Sequence, residues 1–162
     1  MTTFFIGDTH FGHKNIINFE AVKPFRPFAT IEEHDEELVR RWNSVVGKKD
    51  SVWHLGDVAF GSKNISIVGR LNGFKKLVLG NHDHYPSAEY LKYFDKLYGA
   101  ATLEDVLLTH IPVATEQLER FGYNIHGHLH TNKMDDPRYI NVSAEHINLT
   151  PISMEELKCR IQ

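Results

Sequence analysis

Cysteine is nearly missing from this chain. The single residue, Cys159, permits no internal disulfide, and with no framework of thiols a reducing, cytoplasmic setting is the expectation. Long apolar runs are missing as well. None approaches the roughly 20 residues that a membrane-spanning helix needs, and the opening MTTFFIGDTH carries neither the basic start nor the long apolar core of a signal peptide. Positive charge is not in excess: the formal net charge of -3 argues against a broad basic face for gripping a nucleic-acid backbone. A small nucleotide stays compatible with that charge, because bound cations could supply local positive potential. No low-complexity linker, internal repeat or break in composition divides the 162 residues. One domain spanning residues 1–162 is therefore expected, long enough for a substantial core. Oligomeric state is not legible.

What stands out among the residues present is histidine, with eleven copies in a chain otherwise of ordinary globular composition. Histidine is the commonest metal ligand and a frequent acid or base near neutral pH, so its positions decide more than its number. The first stretch, IGDTHFGHKN, places Asp8, His10 and His13 directly after the apolar run Phe4-Phe5-Ile6.

The pattern along the chain alternates short apolar runs with helical segments. TFFIG reads as a buried strand stopped by glycine. Pro24 and Pro27 hold KPFRPF in a loop. Thr30 followed by Glu33 is a capping-box signature for a helix reaching about Val46, with Ile31, Leu38, Trp42, Val45 and Val46 near a 3.6-residue period and Gly47 able to close it. SVWHLGD is a second strand ending in Gly-Asp, SKNISIVGRLN a short helix, KKLVLGNHD a third strand, and a helix is expected around Ala88 to Phe94. EDVLLTH and YNIHGHLH read as the fourth and fifth strands, followed by RYINVS and INLTPIS. A last helix starts after Ser153, where Glu156 completes another capping box. Strand-helix alternation of this kind predicts an α/β domain with a largely parallel sheet. In such sheets ligands gather at the carboxyl ends of the strands.

That rule brings five segments to one rim. Asp8-x-His10, Asp57, Asn81-His82-Asp83, His110 and His128-x-His130 each lie just beyond a predicted strand. Singly, each has an ordinary explanation. A polar turn accounts for Asp-Thr-His, a strand exit for Leu-Gly-Asp, and left-handed tolerance for Gly-Asn-His-Asp. Independent turns do not often do this five times in one small domain. The donor set is carboxylate, imidazole and amide without thiolate, which suits Mn, Fe, Zn or Ni. Seven or eight donors are too many for one ion and about right for two, and two ions about 3.5–4 Å apart can clamp the attacking and leaving oxygens of a phosphoryl centre.

The ordered set D-x-H, GD, GNHD, H and GHxH, from Asp8 to His130, resembles the calcineurin-like metallophosphoesterase superfamily. NVSAEH and TPIS resemble the closing strands of its small prokaryotic members. The resemblance implies a four-layer α/β/β/α sandwich with two mixed sheets flanked by helices. It also implies two divalent ions, Mn foremost and Ni, Fe or Zn as alternatives. Asp8, His10 and His130 would hold the first ion and Asn81, His110 and His128 the second, with Asp57 bridging both. A bridging hydroxide would be the nucleophile, and His82 would protonate the leaving-group oxygen. Asp83 either orients that imidazole or is a solvated turn carboxylate.

Around this set, Arg26 could clamp a phosphate oxygen in two-pronged fashion. His13 either hydrogen-bonds a phosphate oxygen or supports a metal ligand from behind. His126 reads as packed or supporting, His54 and His146 as structural, His34 as facing solvent, and His84 as near the site without a role. GDVAFGSKN lacks the arginine that protein serine/threonine phosphatases of the superfamily carry after this motif, which disfavours a protein substrate. The short gaps around His110 leave little room for a cap domain, so an open site is expected, with selection left to loops such as Phe25 to Phe28. The resulting expectation is a hydrolase of phosphomonoesters or phosphodiesters, with nucleotides as favoured small substrates. The rivals are a nuclease on short or single-stranded nucleic acid and a catalytically silent binding scaffold. A scaffold would be expected to have eroded ligands, and none is eroded here.

Overall fold

A computed structural model describes residues 1–161. Two mixed sheets flanked by helices carry the chain. The first contains β1 (Thr3–Ile6), β2 (Ser51–His54), β3 (Phe74–Val78), β4 (Lys96–Tyr98) and β9 (Ile152–Ser153), in the order β4-β3-β2-β1-β9. The second contains β5 (Ala101–Leu103), β6 (Val106–Leu108), β7 (Tyr123–His126) and β8 (Tyr139–Asn141), in that order. β1 to β4 run parallel and β9 returns antiparallel, while β6 to β8 run parallel beside an antiparallel β5. The antiparallel edges and the split into two sheets correct the expectation of one largely parallel sheet. They agree with the four-layer arrangement that the resemblance implied.

Burial explains the strand sequences. All four residues of β2 are buried, as befits a central parallel strand covered on both faces. His54 points to α1 (Ile31–Val45), with its ring stacked 6.4 Å from that of Trp42. Trp53 points the other way, with its ring 5.1 Å from that of Tyr98 and its side chain near Leu107 of the second sheet. One continuous core thus joins Phe5, Val52 and Leu77 of the first sheet to Leu108 and Ile125 of the second. Burying each such apolar side chain is worth roughly 1.5–3 kcal/mol. The segments just past β1 and β8 bridge the two sheets near the site: Gly7 N–H donates to the Val142 carbonyl at 2.8 Å, and Ala144 N–H to the Gly7 carbonyl at 3.0 Å.

One capping box closes fully and the other by half. Thr30 Oγ1 accepts the Glu33 N–H at 3.2 Å while the Glu33 carboxylate takes the Ala29 N–H instead of that of Thr30, and Ser153 and Glu156 satisfy each other's backbone N–H groups at 3.0 and 3.1 Å. The second box starts α4 (Met154–Ile161). α1 stops without using Gly47, because Val46 turns extended while its N–H still reaches the Trp42 carbonyl. The helix expected around Ala88 to Phe94 is one turn, α2 (Ser87–Tyr90), and the segment Ser62–Arg70 is a 3-10 helix. A further short helix, α3 (Leu118–Phe121), packs under β7. The fifth strand ends at His126, so the GHLH residues lie in a loop rather than on one strand face. No helix among the described residues is long and apolar enough to cross a membrane.

Candidate metal centre

The carboxyl ends of β1, β2, β3, β6 and β7 lie together, and the loops leaving them carry the expected donors. The glycines before Asn81 and His128 have a steric reason. A Cβ on Gly80 would stand 2.3 Å from Asp57 Oδ1, and one on Gly127 would stand 2.5 Å from Asp8 Oδ2, so each loop nests against its neighbour's carboxylate. The loops are also bent tightly. Eight non-glycine residues have positive φ among the described residues, and five of them are expected ligands: Asp8, His10, Asp57, His128 and His130. Left-handed backbone costs such residues on the order of 1 kcal/mol each, and it persists only where surrounding structure enforces it.

Two donor groups result. Asp8, His10 and His130 form one, and Asp57, His110 and His128 form the other, each with its ligand atoms within 4.8 Å of one another. Asn81 joins the second group, with its Oδ1 at 2.9 Å from His110 Nε2 and 3.0 Å from His128 Nδ1. Asp57 Oδ2 lies between the groups, 3.7 Å from His10 Nε2 and 3.4 Å from His110 Nε2. Its other oxygen accepts the His82 N–H at 2.9 Å.

Donor chemistry tests whether cations fit here. Asp8 Oδ1 and His10 Nε2 are buried with no hydrogen-bond partner among the described residues, yet they sit 3.8 Å apart and face each other. Unpaired buried acceptors of this kind are costly unless something positive lies between them. Burial alone would lower the His110 pKa, but the Asp57 and Asp8 carboxylates overcome it and push the imidazole up to about 9. Burial would raise the Asp57 pKa, and His110 instead holds that carboxyl below its usual range. The field at the strand ends thus favours positive charge, and the carboxylate, imidazole and amide donors fit hard or borderline divalent ions.

Supporting residues hold the first group from behind. Glu145 Oε1 lies 3.0 Å from His130 Nδ1 and 2.9 Å from Arg26 Nε. Arg26 Nη2 donates to the Asp8 carbonyl at 2.5 Å and Nη1 to the Thr9 carbonyl at 3.1 Å. Arg26 is wholly buried, so its expected role as a phosphate clamp is corrected: the guanidinium is spent on internal acceptors and braces the bent Asp8 loop. Glu145 was absent from the expectations. Its signal is faint, a lone acid within the closing NVSAEH segment whose partners lie 119 and 15 residues away.

Two further readings change. Asp83 neither contacts His82 nor lies in solvent: its carboxylate is buried and accepts the backbone N–H groups of Asp57, Val58 and Gly80 at 2.7, 3.0 and 2.8 Å. It fixes the loop that presents Asp57. His34 does not face solvent; it is buried, with Nδ1 2.8 Å from Asp35 Oδ1 and Nε2 2.8 Å from Arg26 Nη1. His54 is buried against Thr9 Oγ1 at 2.9 Å, His126 is buried beside the Gly127 carbonyl at 2.8 Å, and His146 lies 3.1 Å from the Asn132 carbonyl. His84 is exposed, with its ring 4.8 Å from that of Tyr85.

His82 is exposed at the mouth, with its ring 5.0 Å from Phe60 and 6.1 Å from His10. It borders an open cleft of about 650 Å³ lined by His10, His13, Phe19, Phe60, His128 and Leu129, among others. His13 stacks on Phe60 at 3.8 Å and meets the edge of Phe19 at 6.0 Å. Burial, together with neighbouring His10, pushes the His13 pKa down to about 4.

Carboxylate and imidazole donors in two linked groups, at the strand ends of two mixed sheets, define a site of the metallophosphoesterase class. The family model for calcineurin-like phosphoesterases matches residues 1–148, and the chain belongs to that family. It is similar to the uncharacterised protein MJ1445 of Methanocaldococcus jannaschii, at 36% identity over 94% of this chain and 86% of that protein. It is also similar to the Gene 66 protein of Mycobacterium phage L5, at 31% identity over 91% of this chain and 86% of that one. A crystal structure of a protein of unknown function from Aquifex aeolicus, AQ665, shares the fold with a TM-score of 0.80, at 29% identity and 98% coverage of both chains.

Proposed function

We propose that this chain hydrolyses phosphomonoesters or phosphodiesters of small molecules, nucleotides foremost, with two divalent ions, Mn foremost, held at the strand ends. The carrying observation is the position of Asp57 Oδ2, which faces imidazoles of both donor groups at 3.7 and 3.4 Å. Asp8, His10 and His130 would hold one ion and Asn81, His110 and His128 the other, with Asp57 reaching both. Ions so placed supply Lewis acidity toward a phosphoryl group and a nucleophile at neutral pH.

The chain's own residues do the rest. Asp57 is kept ionised by His110 and aimed by Asp83, which grips the backbone N–H groups of Asp57 and Val58. His82 stands clear of both donor groups, so its ring nitrogens are free to hand a proton to the leaving-group oxygen. The cleft beside it receives the leaving group. Its lining includes Phe19, Phe60 and Leu129, which favours a flat, partly apolar group such as a nucleobase over a bare polyol. Phe19 is half exposed there, ready to stack. Openness of the cleft fits a small ester, and the absence of a net positive charge gives a long nucleic acid little to hold.

The test is metal-free protein reloaded with Mn, Ni, Zn, Fe or Mg and assayed on nitrophenyl phosphate and bis-nitrophenyl phosphate. His82→Ala and Asp57→Ala run alongside. Metal-dependent turnover that Asp57→Ala abolishes and His82→Ala reduces is the expected result. Wild-type protein that takes up two ions yet cleaves neither ester, nor cyclic or linear nucleotides, would overturn the enzymatic reading in favour of a binding scaffold.

A further inference from the structure

His10 and His13 are joined by a tight turn. The His13 N–H donates to the His10 carbonyl at 3.1 Å. Gly12 between them has φ of 72°, and a Cβ there would stand 2.0 Å from Asn64 Nδ2. The turn brings the two Nδ1 atoms to 3.0 Å. Two ring nitrogens at that distance share one proton, so one ring donates and the other accepts.

Which ring donates follows from the far side of His10. Its Nε2 lies between the Asp8 and Asp57 carboxylates at 3.8 and 3.7 Å, buried and without a partner. A nitrogen offered to a cation must present a lone pair, so the ring's proton belongs on Nδ1. His10 Nδ1–H then donates and His13 Nδ1 accepts. Resting on the two-ion reading above, we infer that His13 is a positioning residue for the first ion: it takes the His10 Nδ1–H and so fixes both the tautomer and the ring plane that present Nε2.

The neighbouring ligands are anchored the same way by different acceptors. His110 Nδ1 lies 2.6 Å from the Leu55 carbonyl, and His130 Nδ1 lies 3.0 Å from Glu145 Oε1. A carbonyl and a carboxylate can only accept, whereas an imidazole must itself be held to serve. Phe60 provides that hold, lying nearly parallel to the His13 ring at 3.8 Å and 12°. This assigns the third residue of the D-x-H-x-x-H opening a job that requires no contact with the ion.

Two substitutions separate the acceptor from the ring. His13→Asn keeps an oxygen acceptor near the place of Nδ1 and removes the stack, whereas His13→Leu removes the acceptor. Calorimetric titration of metal-free protein with Mn reads two binding steps, and Asn81→Ala marks the step that belongs to the second group. His13→Leu is expected to weaken the other step by about 10- to 100-fold, with His13→Asn within about threefold of wild type. Long-range proton–nitrogen spectra of zinc-loaded wild-type protein are expected to place the His10 proton on Nδ1. His13→Leu binding both ions as tightly as wild type would overturn this inference alone. His13→Asn failing as badly as His13→Leu would overturn it too, since the stack and not the acceptor would then matter. Wild-type protein taking up no ion would sink the inference together with the two-ion reading.

Discussion

The two donor groups are built to different plans. In the first, Asp8 Oδ1 and His10 Nε2 have no partner, and the donors stand 3.8 and 3.9 Å apart. In the second, His110 Nε2, His128 Nδ1 and Asn81 Oδ1 close on one another at 2.9, 3.0 and 3.3 Å. Each group joins two buried donors to one half-buried histidine; the first is braced by Arg26, Glu145 and His13, and the second is capped by the exposed Asn81. An ion entering the first group breaks nothing. One entering the second must displace hydrogen bonds that the donors already make, each worth about 1 kcal/mol. The two groups are therefore expected to differ in affinity, with the first filling first.

The most severe way to break this contrast is to remove the residue both groups share. Asp57→Ala is expected to merge the two binding steps into weak, indistinct uptake and to bring turnover below detection, read by calorimetry and ester hydrolysis. Next comes the brace. Arg26→Met strips the buried Glu145 carboxylate of its guanidinium partner, and breaking a buried pair in this way costs about 3–5 kcal/mol. Urea unfolding of metal-free protein would show it; a loss under about 1 kcal/mol would mean the brace is dispensable.

A finer probe is Glu145→Gln, which keeps the shape but not the charge behind His130. Weakening of the first step by about 10- to 100-fold with the second step intact is expected, and equal weakening of both would erase the distinction between the groups. A last probe is pH. His54 backs the first group through Thr9, and burial holds its pKa down to about 3 against an ordinary 6.5. The unfolded chain therefore binds an extra proton between those values. Stability is complete above about pH 6.5 and falls as pH drops toward 3, by at most about 1.4 kcal/mol per pH unit. His54→Leu in metal-free protein should flatten that slope.

How legible all this was depended on the range of each interaction. The candidate donors are legible because their segments follow β1, β2, β3, β6 and β7, and the strand ends of an α/β sheet are a known meeting place. Arg26 was misplaced because a residue between two prolines looks like surface, while its partner Glu145 is 119 residues away. His34 was misplaced for a different reason. It shares the stripe of Ile31, Leu38 and Trp42, all buried on α1, so its place in the 3.6-residue period outweighs the polarity of its ring. Asp83 stood beside a histidine in sequence but binds backbone across the loop. β4 and β5, three residues each, are too short for any period to show.

The five left-handed ligand residues carry a consequence for descent as well as for chemistry. Glycine or asparagine would occupy those backbone angles with less strain, so selection on folding alone pulls these positions away from aspartate and histidine. A lineage that no longer uses the site should lose it first at Asp8, His10, Asp57, His128 and His130, while Arg26 and Asp83, which hold the scaffold, outlast them. Descendants of this chain that keep those five residues would thereby record continued use of the site.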